Sequence, residues 1–241
     1  MILIIKHIDI EGPGTLGRFL EKKKREFRIV DLGAKEELPE HLTGIEAVVV
    51  LGGPMNVDEE KRNSFLKKEN IFIQNVLKEK IPYLGICLGS QLLAKAAGAR
   101  VVKSPLKEVG WFQVELTPEG ERDPFFHGLP SEFEVFHWHE DMFEIPKEAV
   151  FLATGSGCPN QAFRVGTCAY GVQFHIEVTE PIIADWCKAY FNSKDPGKQK
   201  KAKEMLAIYK EKKESFNKQS DVIYQNFAQV IAKHKAMAAK V

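Results

Sequence analysis

Three short runs in this sequence have the residue types and spacing that covalent amide chemistry requires. The first is Gly85-Ile86-Cys87-Leu88-Gly89. An apolar run over residues 82–87 reads as a strand, and residues 88–97 read as a helix closed by Gly98. A cysteine at such a strand-to-helix turn sits on a nucleophile elbow, which strains its backbone and needs small neighbours, here Gly85 and Gly89, to close. The thiol then lies at a helix N-terminus, whose positive end favours the reactive thiolate form. The amide of Leu88 is placed to donate to an oxyanion.

The second run is Gly52-Gly53-Pro54, after a continuous apolar strand over residues 47–51. A Gly-Gly turn can present a bare backbone N–H to a ligand, so Gly53 is the second expected oxyanion donor; an ordinary tight turn is the alternative. The third run is Gln173-Phe174-His175-Ile176-Glu177, at the end of another strand pattern. A thiol needs a base within hydrogen-bond reach, and the base needs an acceptor that orients it. His175 and Glu177 are two apart and project to one side if the strand stays extended.

These residues need a scaffold that gathers them, and the pattern supplies one. Over the first 99 residues, strands at 2–5, 27–32, 47–51 and 82–87 alternate with helices at 16–26, 65–80 and 88–97. That rhythm predicts an open, mostly parallel twisted sheet with helices on both faces, and all three runs fall where strands end, the edge at which such sheets put their sites. Short strands at 101–102, 112–116 and 134–137, then 150–153, 161–165 and 169–174, predict an antiparallel extension of the same sheet, followed by a helix at 181–191. Residues 1–192 therefore form the expected main domain and 193–241 a C-terminal helical appendage. The appendage reads as two helices, near 198–214 and 221–235, the second with an apolar stripe of Ile223, Phe227, Val230 and Ile231. The stripe must bury itself against this domain, against a second copy in a homodimer, or against another protein.

Composition excludes several classes. Net charge is +1, which offers no basic field for nucleic acid, although residues 194–218 hold nine lysines against four acids, read as a solvated helix face. No apolar stretch approaches the length of a membrane span, and the N-terminus lacks a signal-peptide layout, so a cytoplasmic protein with reduced thiols is expected. The four cysteines form no CxxC pair. Cys158, Cys168 and Cys187 read as small buried hydrophobes, and His7, His41, His127 and His234 have no partner pattern. His137-x-His139 raises a metal reading, but no third ligand is near in sequence, so neither metal nor cofactor is expected.

Taken together, the three runs in their order resemble the motifs of the class I glutamine amidotransferases, over roughly residues 1–192. The likeness is greatest to the glutaminase domain of GMP synthase and to free-standing relatives that include γ-glutamyl peptidases. The resemblance implies that Cys87 attacks the side-chain amide of glutamine or of a γ-glutamyl compound, that His175 carries the proton to the leaving ammonia, and that water hydrolyses the γ-glutamyl thioester. It implies a substrate role for Gln91, one turn beyond Cys87, and for the segment 136–141, which contains Trp138 and His139. Trp138 departs from the GMP synthase pattern, where a smaller residue is usual. Three activities remain open: an amidotransferase subunit feeding ammonia to a separate synthetase, a stand-alone γ-glutamyl hydrolase, and a non-catalytic binding protein on the same fold. The role of Pro159-Asn160-Gln161-Ala162-Phe163 does not follow from the residues.

Overall fold

The computed structural model describes residues 1–191 and 194–238, so the domain boundary expected between residues 192 and 193 lies outside the described residues. The chain opens with β1 (Ile2–Lys6), α1 (Gly14–Lys22), β2 (Phe27–Asp31), β3 (Ala47–Val50), α2 (Phe65–Lys78), β4 (Tyr83–Ile86) and α3 (Leu88–Ala96). It continues through β5 (Val101–Leu116), α4 (Pro118–Arg122), β6 (Glu132–Phe143), β7 (Ala149–Thr154), β8 (Ala162–Val165) and β9 (Ala169–Val172), and ends in α5 (Glu180–Tyr190) and α6 (Pro196–Ala238).

Among the described residues, all nine strands join one sheet in the order β2-β1-β3-β4-β9-β8-β7-β5-β6. The pairs from β2 to β9 are parallel and those beyond β9 antiparallel. The central strands read as apolar runs because both faces are covered. Ile2 and Ile4 of β1 turn to one face, where α1 and α6 bring Leu16, Phe19, Ile223 and Phe227. Leu3 and Ile5 turn to the other, against Leu66, Ile73, Leu92 and Leu93 of α2 and α3.

Two expectations need correction. The short strands expected at 101–102, 112–116 and 134–137 are pieces of two long strands, β5 and β6. Pro105 and Gly110 read as breaks, but the hairpin absorbs them. The β5–β6 register shifts between Lys103 and Glu108, and Gly110 takes a φ of +119° that suits glycine. The two helices expected after residue 197 are one, α6, 43 residues long. Nothing between residues 214 and 221 breaks a helix, and buried Phe216 and Ser220 carry the packed face across the expected gap. Met205, Tyr209 and Phe216 continue the stripe toward the N-terminal end of the helix.

α6 packs on this chain's own core. Ile223, Phe227, Val230 and Ile231 are all buried, each side chain contributing about 1.5–3 kcal/mol of apolar burial. Polar contacts fix its register: Asn226 Nδ2 donates to the carbonyls of Phe125 at 3.0 Å and His127 at 2.8 Å. The hydroxyls of Ser220 and Tyr224 donate to the Ile176 carbonyl at 2.8 Å each, and that of Thr15 reaches the same oxygen at 3.0 Å. The helix thereby braces the segment that carries His175 and Glu177.

Candidate active site

Cys87 ends β4 and begins α3 with φ +51° and ψ −106°, one of four non-glycine residues with positive φ among the described residues. Such a conformation is strained for a side chain with a Cβ and persists only where the surroundings over-determine it. Here the neighbours are packed too closely for side chains. A Cβ on Gly85 would overlap the Gly89 backbone, and one on Gly89 would overlap the Val50 carbonyl. The Cys87 amide donates to the Val172 carbonyl at 2.8 Å, tying the elbow to β9.

β9 ends at Val172, sooner than expected, and His175 lies beyond it in an isolated bridge to Phe136 of β6. The His175 amide donates to the Phe136 carbonyl at 2.8 Å. His175 and Glu177 therefore meet on a bent segment, not an extended strand: Nδ1 lies 2.6 Å from Glu177 Oε1, with both side chains buried. Burial alone would lower the basicity of this imidazole, but the adjoining Glu177 carboxylate and the Cys87 sulfur raise it well above the ordinary histidine range. With Nδ1–H donated to Glu177, Nε2 is the nitrogen left for the thiol proton. Gln173 Nε2 donates toward Cys87 Sγ at 3.6 Å, a contact not foreseen from the sequence.

These groups open onto a cavity of about 430 Å³ lined by Cys87, His175, Gly53, Gln91, Trp138 and His139 among others. Gly53 thus lines the same cavity as the cysteine, packed against Leu88 and His7. Leu88 is the first residue of α3, where backbone N–H groups lack an intrahelical acceptor and are free to serve an oxyanion. Gln91 lines the cavity with its amide nitrogen held by the Asp141 carbonyl at 3.1 Å and Gln173 Oε1 at 3.2 Å. It joins α3 to the 138–141 segment. The Trp138 ring is half-buried against Trp186, Tyr190 and Phe191. His139 turns its ring into the sheet, with Nε2 at 2.9 Å from Glu108 Oε2 and Nδ1 at 3.1 Å from the Asp141 carbonyl.

The sheet also supplies partners that the sequence hid. Glu108 of β5 pairs with His139 across the hairpin and meets His137 Nδ1 at 3.3 Å, giving the His-x-His pair the third ligand type that was absent nearby in sequence. Glu108, His137 and His139 are the donor types that a divalent cation takes, and here the same atoms are joined as hydrogen bonds. Burial pulls His137 down to about 4, while its two imidazole neighbours hold Glu108 at about 2 against the opposing effect of burial. Gln161 donates to Glu108 Oε2 at 2.9 Å and Asn160 to the Phe143 carbonyl at 2.9 Å, which gives the unexplained run at 159–163 its role as a brace for this hairpin. His7, expected to lack a partner, has two: Nδ1 lies 2.8 Å from the Gly52 carbonyl and Nε2 3.0 Å from Glu69 Oε1. Both are acceptors, so the protonated ring satisfies both. Burial opposes that charge, but Glu69 outweighs it and raises the basicity of His7. The pair anchors the Gly52-Gly53 turn.

A mixed α/β sheet with a cysteine elbow, and a histidine–glutamate pair at the end of a neighbouring parallel strand, defines a class: α/β proteins with a Cys-His-Glu site. The chain belongs to the class-I glutamine amidotransferase family, whose model matches residues 16–181. It is 34% identical over 178 residues to the glutamine amidotransferase-like protein YfeJ of Salmonella typhimurium, covering 73% of this chain and 74% of that protein. It is 31% identical over 187 residues to one subunit of the glutamine-hydrolysing GMP synthase of Methanococcus vannielii, covering 71% of this chain and 92% of that relative. Against the GMP synthase of Thermosipho melanesiensis the identity is 38% over 149 residues, but these span only 26% of that protein. A solved glutamine amidotransferase of Thermotoga maritima, 35% identical, superposes with a TM-score of 0.84 over 94% of this chain and 96% of that one. Among the described residues no helix is long and apolar enough to cross a membrane.

Proposed function

We propose that the protein hydrolyses the γ-amide of glutamine or of a γ-glutamyl compound through a thioester on Cys87. One observation carries this reading: Cys87 and His175 line one cavity, and the buried Glu177 orients the imidazole through a 2.6 Å contact. His175 Nε2 takes the thiol proton as sulfur bonds to the amide carbon. The amides of Gly53 and Leu88 receive the negative charge that develops on oxygen. As the C–N bond breaks, Nε2–H passes its proton to the departing amine. Water, deprotonated by the same nitrogen, then cleaves the thioester to release glutamate and the thiol.

The test is release of glutamate and ammonia from glutamine, and of glutamate from γ-glutamyl dipeptides, by the purified protein and by Cys87→Ala. The wild type should turn over at least one of these substrates and the variant none. Wild-type turnover by Cys87→Ala would overturn the reading. The Methanococcus vannielii relative, named as one subunit of a GMP synthase, favours a second use of the same chemistry, in which the ammonia passes to a separate synthetase. Glutaminase activity that rises when a synthetase partner is added would mark that use.

A further inference from the structure

The cavity beside Cys87 holds a carboxylate for which the reaction above has no use. Glu11 follows β1, is only 7% exposed, and lines the cavity together with Tyr190, whose hydroxyl donates to Glu11 Oε1 at 3.2 Å. The other oxygen lies against Gly52. A Cβ built on Gly52 would stand 2.6 Å from Glu11 Oε2, 3.0 Å from His175 Cε1 and 3.8 Å from Cys87 Cβ. The carboxylate oxygen, the imidazole edge and the thiol-bearing carbon thus crowd around Gly52, too tightly for even a methyl group there. His175 Nδ1 is taken by Glu177, so the nitrogen that hands its proton to the departing amine adjoins this same Cε1 edge.

An anion here is costly. It is largely desolvated, which raises its proton affinity; the His175 imidazole opposes that rise and Glu177 adds to it, and the net effect is upward. The nearby cation His7 is already committed to Glu69 and to the Gly52 carbonyl. Ammonia leaving from glutamine needs no carboxylate at this point, whereas an amine carrying its own positive charge does. The same wall is aromatic: Trp138, Trp186 and Tyr190 line the cavity, with Trp138 5.9 Å from Trp186 and 5.8 Å from Tyr190 between ring centroids. Indole and phenol faces attract ammonium groups and bury the methylenes that carry them. Charges of both signs, Lys103, Lys107, Glu140 and Asp141, line the cavity as well and suit the zwitterionic head of a glutamyl group. A volume of about 430 Å³ falls in the range of sites that accept ligands larger than one amino acid.

We propose that Glu11, with Tyr190 and the faces of Trp138 and Trp186, forms a leaving-group subsite, and that the substrates are γ-glutamyl amides whose departing amine carries an alkylammonium group. The proposal rests on the Cys87 reading and adds no chemical step. The C–N bond breaks, His175 Nε2–H protonates the amine nitrogen, and a diamine-like product leaves while the glutamyl group stays on sulfur.

The experiment compares two substrates that differ only at the end of the leaving group, Nγ-(4-aminobutyl)-L-glutamine and its neutral isostere Nγ-pentyl-L-glutamine, with L-glutamine alongside. Values of kcat/KM are measured for the full-length wild type, Glu11→Gln and Tyr190→Phe. The wild type should prefer the aminobutyl amide by about tenfold or more, the scale of one charge-assisted hydrogen bond. Glu11→Gln should bring that ratio close to one, and Tyr190→Phe should lower it partway. A wild-type ratio near one, or a preference that survives in Glu11→Gln, overturns the subsite. So does an equal loss on both amides in Glu11→Gln, since that result would place the carboxylate on the glutamyl ammonium. Hydrolysis of glutamine without the preference overturns the subsite alone. No hydrolysis of any of the three, with Cys87 unlabelled by a glutamine-like electrophile, overturns the Cys87 reading beneath it.

Discussion

Truncating Phe227 to alanine would measure how far α6 belongs to the core. The ring is 3% exposed and packs with Ile2, Leu16, Phe19 and Tyr224, and its edge meets Phe125 at 6.4 Å between centroids. The interface already contains a void of about 20 Å³ lined by Leu16, Phe19, Tyr224 and Phe227, so removing the ring enlarges a gap that the backbone has not closed. A buried Phe→Ala change costs about 3–5 kcal/mol through lost burial and the residual cavity. At about 2–4 °C per kcal/mol for a domain of this size, the melting temperature should fall by about 6–20 °C. Gln225→Ala, on the exposed face of the same helix, should stay within about 0.5 kcal/mol. Calorimetry at one scan rate and urea unfolding of both variants give the comparison. Similar midpoints for the two would refute the reasoning, because they would mean that the stripe is not packed on the sheet in solution.

Two further outcomes concern the site and its supports. His175→Ala should lose more turnover than Glu177→Gln, because the first removes the proton carrier and the second only its orientation; the reverse order in kcat would exchange their roles. Acid should destabilise the fold in two overlapping stages. His137 is depressed to about 4 from 6.5, so its share of stability is complete above pH 6.5 and is lost as pH falls toward 4. Glu108 is depressed to about 2 from 4.5, so its share is complete above pH 4.5 and is lost as pH falls toward 2. Urea unfolding across pH should show both limbs, and Glu108→Gln should flatten the lower one. An unchanged acid limb in that variant would contradict the assignment.

What the sequence determined by itself is what depends on neighbours along the chain. Apolar runs such as residues 47–51 and the glycines flanking Cys87 act within a few positions, so the parallel half of the sheet, its helices and the strained elbow were all legible. The burial of α6 was legible too, since an apolar stripe must be covered, but its partner was not: Phe227 and Ile231 border Ile2 of β1 and Phe19 of α1, some two hundred positions away. Only the tertiary structure brought Glu108 to His139, His7 to Glu69 and Glu11 to Tyr190, contacts between residues 31, 62 and 179 positions apart. A lone acid or histidine carries no periodicity and no turn signal, so nothing local marks it. Its partner is set by strand order and register, and these follow from burying the whole sheet at once.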